Sequence, residues 1–153
     1  MKLLRPEPGP PPRRVGVVVS SFNAAITGPM ADAAVKTLEQ AGVDEVILVE
    51  VSGALEIPVT ALRLLEHGCE AVVAVGAVIK GETDHYEHVA GETVRGIGEV
   101  SLRTGRPVGN AVLTVREYDH AVDRSLPGPG NKGAEAATAV VHACRVLAGL
   151  AGS

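Results

Sequence analysis

The stretch KGETDHYEHV, residues 80–89, crowds a lysine, three acids and two histidines behind the strongly apolar run AVVAVGAVI. Titratable side chains gathered at the end of such a run can hold a metal, cradle an anion or open a solvated helix. His85 and His88 lie three residues apart and share one helical face. H-x-E-H nevertheless fits neither H-E-x-x-H nor H-x-x-E-H, and no third ligand is at hand, so no metal site is expected. KGETD ahead of a helix suits an anion better. Gly81 opens the turn, and the amides and hydroxyl of Glu82 and Thr83 sit where a helix N-terminus favours negative charge. His85, just inside that helix, is then placed to move protons beside a bound phosphate, because imidazole exchanges protons near neutral pH. His88, one turn on, reads as structural.

Other residues could join this chemistry. Phe22 is the only phenylalanine and lies in the polar stretch SSFNAAITG. It is either a loop residue folded back onto the core or a platform on which a flat heterocycle stacks. In SGALEIP (52–58), Gly53 lets backbone approach a ligand and Pro58 suits a first helical turn. Glu56 either favours the dipole of that helix or pairs with the edge of a heterocycle. GPGNKG (128–133) lacks the spacing of a phosphate loop, and no Ser or Thr follows Lys132. GIGEVS (96–101) falls within a helical pattern and fails as a dinucleotide fingerprint. Arg124 and Lys132 remain as cations able to reach a phosphate, Arg124 through a bidentate fork.

These residues need a scaffold. Four short Val-rich runs, at 14–20, 44–51, 70–79 and 106–114, are nearly continuous in apolar character, as strands buried on both faces of a parallel sheet are. Helical patterns fall between them. They are expected over 28–41, stopped by Gly42; over 56–67, ending near Gly68; over 85–104; over 117–124; and from Asn131 to about Leu150. The order predicts a three-layer α/β/α sandwich with a four-stranded parallel sheet, flavodoxin-like, with right-handed crossovers. Ligands of such sheets bind beyond the carboxyl ends of the strands, where SSFNAAITG, SGALEIP, KGETDH and Thr114 converge.

The 153 residues fit one domain at 14–153, preceded by an arm, 1–13, that carries five of the ten prolines (Pro6, Pro8, Pro10, Pro11, Pro12). A composition of 46% hydrophobic and 21% charged residues is globular rather than disordered. The net charge of −4 argues against a general nucleic-acid binder. No secretory signal is read at the start, and no apolar run is read as a membrane span. Cys69 and Cys144 are too few and too far apart for a disulfide framework, which fits a reduced, cytoplasmic protein.

Taken together, SFNAAITG, SGALEIP, VGAVIKGETDHYEHV, GNAVLT and AVDRSLPGPGNKGAEAA resemble the lumazine synthase family of riboflavin biosynthesis, over about residues 14–150. The resemblance implies condensation of 5-amino-6-(D-ribitylamino)uracil with 3,4-dihydroxy-2-butanone 4-phosphate to 6,7-dimethyl-8-ribityllumazine, with no cofactor. It implies that Phe22 stacks on the pyrimidine and that Ala54, Leu55 and Glu56 bind its edge and ribityl chain. Ala77, Val78 and Ile79 then line the pocket, Glu82 and Thr83 hold the phosphate, and His85 is the acid/base group. Arg124 clamps the phosphate and, with Asn110, acts on a neighbouring subunit's site; Lys132 is a secondary candidate. The chain departs from the family at Ser21, often arginine there, and at Asn110, where many members carry an aromatic. SLPGPGNKG replaces the usual AGTKAGNKG at the same length.

Two other readings compete: an archaeal-type riboflavin synthase, and a non-catalytic flavin- or lumazine-binding paralogue. An intact KGETDH turn favours the synthase, because the lumazine carries no phosphate. The presence of both His85 and Arg124 argues against a non-catalytic paralogue. The resemblance further implies a homo-oligomer, with riboflavin synthase as a pathway partner and no nucleic acid or membrane. Because prolines remove donors along the arm, a ring of five, single or as two rings face to face, is expected rather than a sixty-subunit shell.

Overall fold

The computed structural model describes residues 1–7 and 9–152, so Pro8 of the arm and Ser153 lie outside the described residues. Four strands, β1 (Arg14–Ser20), β2 (Glu45–Val51), β3 (Ala71–Ile79) and β4 (Val108–Val115), pair in parallel in the order β2-β1-β3-β4. Five helices connect and follow them: α1 (Ala24–Gln40), α2 (Ile57–Glu66), α3 (His85–Thr104), α4 (Tyr118–Ser125) and α5 (Lys132–Ala151). A short 3-10 turn, Ala54–Glu56, precedes α2. The expected three-layer sandwich is what forms.

Alternation along the two central strands assigns their side chains to two separate cores. Val17, Val19, Val73 and Val75 pack with Met30, Leu38 and Val140 beneath α1 and α5. Val18, Val72 and Ala74 pack with Ile57, Leu65 and Ile97 beneath α2 and α3. Burial of a side chain of this size contributes about 1.5–3 kcal/mol, so a strand covered on both faces reads as an unbroken apolar run. β2 does not follow this expectation. It is an edge strand with alternating burial, and Leu48 is 53% exposed on it.

α1 also departs from the expected pattern, beginning four residues before the anticipated start and carrying Pro29 inside it. Its start is set by Asn23, a left-handed residue (φ 61°) whose carbonyl accepts from the amides of Ile26 and Thr27. Both side chains are buried, and this packing outweighs the bond lost at Pro29. α5 also differs from the reading that no run could span a membrane: by length and composition alone it is long and apolar enough. Its Ala136, Ala137, Val140 and Val141 pack against the sheet and α1, as in a core helix.

Two contacts seat α5. Buried Asn131 caps it, accepting from the amides of Gly133 and Ala134 at 2.9 and 3.2 Å while donating to the Ser125 carbonyl at 3.0 Å. Two residues on, α5 crosses α1 so closely that a Cβ on Gly133 would lie 2.0 Å from the Met30 carbonyl oxygen. The described residues of the arm run along the same helix, and none of them joins a strand. Glu7 reaches His142 and Arg145 at 3.5 Å each, Pro12 is buried, and Gly149 approaches Leu4. Gly133→Ala is therefore expected to lower unfolding free energy by about 2–4 kcal/mol in urea titration, because backbone must move to admit one methyl. An unchanged midpoint would contradict the close approach.

Candidate active site

The site follows from the strand order. β1 is followed by α1 on one face of the sheet and β3 by α3 on the other, yet β1 and β3 are neighbours. Their connecting loops diverge and leave a crevice at the carboxyl ends of both strands, the switch point of a doubly wound sheet. A cleft of about 510 Å³ occupies it.

Three segments line this cleft. From the end of β1 come Ser20 and Phe22, and from the turn before α2 come Ser52, Gly53, Ala54, Leu55 and Glu56. From the end of β3 and the start of α3 come Ala77, Val78, Ile79, Gly81, Thr83, His85, Tyr86 and Val89. Most of the residues singled out in the sequence thus meet in one place. Glu82 is flanked by two lining residues but is not itself in the wall.

The loop geometry is held from several sides. The amides of Ser21 and Phe22 donate to the carbonyls of Val51 and Ser52 at 2.8 and 3.1 Å, which ties the first loop to the second. Asn23 Nδ2 donates to the Ala77 carbonyl at 3.1 Å and ties it to β3. Phe22, 71% exposed, presents its ring to the cleft rather than to the core, which removes the fold-back alternative. Glu56 accepts from the Gly53 amide at 3.0 Å through Oε1. The helix-start reading of this residue is therefore satisfied, while the same side chain lines the cleft. The Thr83 hydroxyl accepts from the His85 amide at 3.3 Å, leaving its proton free to donate outward. Among the described residues, the amides of Gly81, Glu82, Thr83 and Asp84 make no hydrogen bond within the chain, and α3 begins immediately after them.

Three predicted residues lie elsewhere on the chain. Asn110 is exposed on the outer edge of β4, where its Oδ1 accepts from the Val112 amide at 2.9 Å. Arg124 is exposed near the end of α4 and donates to the His120 carbonyl at 3.0 Å. Lys132 pairs with Glu135 at 3.1 Å. His88, read as structural, is exposed on α3. Among the described residues no cluster of three or more metal-ligating side chains occurs.

Some lining residues carry little signal in the sequence. Ser20 closes an apolar strand run and Tyr86 sits inside HYEH, where the histidines draw attention. Neither cysteine lines the cleft. Burial pushes Cys144 up to about 11, helped by the Glu70 carboxylate, and burial likewise raises buried Cys69.

The fold and the cleft define a flavodoxin-like α/β protein with a crevice at the β1/β3 switch point, lined by an exposed phenyl ring and the start of α3. Its sequence matches the family model described as 6,7-dimethyl-8-ribityllumazine synthase over residues 12–148. Proteins named 6,7-dimethyl-8-ribityllumazine synthase from Mycobacterium sp. strain KMS and strain JLS are each 42% identical to it over 142 residues, covering 91% of this chain and 88% of theirs. The chain belongs to the 6,7-dimethyl-8-ribityllumazine synthase family, transferases of riboflavin biosynthesis.

Asn23 is the hinge of the first loop, with positive φ and a side-chain tether. Asn23→Ala is expected to cost about 1–2 kcal/mol, losing both the tolerated backbone conformation and the bond to Ala77. Asn23→Gly should recover part of that loss by admitting the left-handed backbone. Equal thermal midpoints for the two variants would show that φ at this position carries no strain.

Proposed function

We propose that this chain condenses 5-amino-6-(D-ribitylamino)uracil with 3,4-dihydroxy-2-butanone 4-phosphate to give 6,7-dimethyl-8-ribityllumazine, phosphate and water. The observation that carries this reading is that Phe22 and the Gly81–His85 turn line one cleft. A pyrimidine stacks on Phe22 with its edge against Ala54, Leu55 and Glu56, over a wall of Ala77, Val78 and Ile79. The phosphate sits at the start of α3. There the free amides around Glu82, the Thr83 hydroxyl and the positive end of a 20-residue helix all favour an anion.

The chemistry needs no protein nucleophile, in keeping with a cleft that neither cysteine lines. The substrate amine attacks the substrate ketone, a first water leaves to form a Schiff base, phosphate is eliminated, and the second amine adds to the carbonyl so formed and closes the ring as a second water leaves. The protein contributes chiefly by holding two reactants together, which can supply about 7–11 kcal/mol of the barrier. His85, the first residue of α3, takes and returns protons beside the leaving phosphate.

One feature of the cleft bears on assembly. Among the described residues that line it there is no Lys or Arg, so a phosphate there meets amides and hydroxyls rather than a lining guanidinium or ammonium group. Arg124 and Asn110 are exposed away from it, as groups acting on a neighbour's cleft would be. In this reading the active unit is a ring of five in which Arg124 reaches across to the adjoining subunit. The arm supports a ring over a sixty-subunit shell, because it lies along α5 and its prolines deny a strand ladder. Lys132, paired to Glu135, contributes at most a secondary charge, and riboflavin synthase is the enzyme that would take the product.

Mixing the two substrates with the protein and following lumazine fluorescence tests the reaction, and no product would remove it. His85→Ala should lower turnover about 10–100-fold with the fold retained. Full activity in that variant would take His85 out of the mechanism. His85→Ala and Arg124→Ala subunits assembled into mixed rings should recover activity that neither variant has alone, with mass photometry counting five subunits. No recovery in mixed rings would place Arg124 on its own chain's cleft.

A further inference from the structure

Ser20 ends the central strand β1 at the floor of the cleft, with only 1% of its surface exposed. Its backbone is pinned. The carbonyl accepts from Thr27 Oγ1 at 2.7 Å, and the next amide, that of Ser21, donates to the Val51 carbonyl at 2.8 Å. Its hydroxyl is different: among the described residues no protein group hydrogen-bonds it. Ser20 shares its sheet face with Val18, the face beneath α2 and α3 on which the cleft opens. The neighbouring strand holds Gly76 at this level, and a Cβ there would lie 3.3 Å from Ser20 Oγ and 3.2 Å from Ile57 Cδ1. Glycine thus keeps open the space beside the hydroxyl, between an apolar side chain and the strand end.

A hydroxyl cut off from water among apolar groups costs about 1–3 kcal/mol when it lacks a partner. Ser20 Oγ, which is not among the fully enclosed orphan atoms of the described residues, escapes that cost only through its opening on the cleft. The other buried residues that line the cleft (Ala54, Ala77 and Val78) avoid that cost by being apolar. An alanine at position 20 would continue the pattern. The serine is useful to the protein only if something entering the cleft completes its hydrogen bond.

We propose that Ser20 Oγ is a specificity-determining donor for the heterocycle, its proton directed at a ring carbonyl or ring nitrogen on the inner edge of the bound pyrimidine. This rests on the lumazine synthase reading of the cleft and adds to it the group that reads the buried edge. Phe22 supplies stacking area, which any flat ring satisfies. A donor at the floor instead discriminates by the unpaired group left behind when the wrong ring binds. The phosphate-bearing substrate occupies the start of α3 and does not meet Ser20.

The test is Ser20→Ala, with isothermal titration of 5-amino-6-(D-ribitylamino)uracil, steady-state kinetics in the butanone phosphate, and thermal melting of the ligand-free protein. The variant should bind the pyrimidine about 3–15-fold more weakly, the loss of one net hydrogen bond. Its KM for the butanone phosphate should be unchanged. Its ligand-free melting temperature should be equal to or above that of the wild type, because an unpaired hydroxyl has been removed. Unchanged pyrimidine affinity would overturn the inference. So would a clear drop in the ligand-free melting temperature, which would reveal a partner for the hydroxyl inside the protein. Wild-type lumazine formation separates this from the broader reading. If product forms and Ser20→Ala titrates like the wild type, only the role of Ser20 falls. If the wild type binds the pyrimidine yet makes no product, the reaction falls and the role of Ser20 is still judged by its titration. If the wild type does not bind the pyrimidine, both fall.

Discussion

Two adjacent parallel strands cannot both send their chains over the same face of the sheet when the helices that follow belong to different layers. β1 leads into α1 above the core of Val17, Val19 and Met30, and β3 leads into α3 above the core of Val18, Ile57 and Ile97. The crevice between them is a consequence of winding order, present before any functional side chain is chosen. The cleft is lined by the last residues of strands, the opening turns of helices and the short loops joining them. Such positions are held by the scaffold on one side and open on the other. The residues there can be polar without disturbing either core.

Close approaches keep those positions fixed. Gly133 against the Met30 carbonyl brings α5 down on α1, and Gly109 does the same for β4, where a Cβ would lie 2.7 Å from Val140 and 2.9 Å from the Ala136 carbonyl oxygen. On the opposite face Gly96 lets α3 meet Pro58, whose ring carbon would be 2.8 Å from a Cβ there. Glycine acts in these places through the absence of a side chain rather than through unusual dihedrals. Interiors packed at crystal-like density transmit a displacement of this size instead of absorbing it. The helix starts that face the cleft are therefore positioned by contacts well removed from it.

Much of this was legible in the sequence, for reasons that can be named. β1 and α3 begin and end where expected, because continuous valine runs and a helix stopped by Gly105 (φ +69°) leave little freedom. The start of α1 was missed, since Pro29 invites a later start and only the burial of Ile26 and Thr27 overrules it. β2 reads like the central strands in composition, but its edge position depends on topology, which no local pattern encodes. In the site, Phe22, Glu56 and His85 stood out because their types contrast with their surroundings. Ser20 did not, because one serine after five apolar or small residues looks like the end of a strand. The NKG motif shows the converse. Its lysine attracts notice as a cation, whereas its asparagine cap and its glycine contact carry the structural weight.

The arm has an implication for the order in which the molecule becomes itself. Leu4, Glu7 and Gly9 rest on residues 142–149 of α5, so the parts in contact are separated by nearly the whole chain. During synthesis the arm emerges with nothing to bind, and its proline content keeps it extended and unable to template strands on nascent neighbours. Its landing surface exists only once α5 has formed and docked on α1. At about 5–20 residues per second, the arm waits several seconds or more for that surface. Its seating follows the docking of α5, so a seated arm marks a chain whose α1/α5 layer is in place.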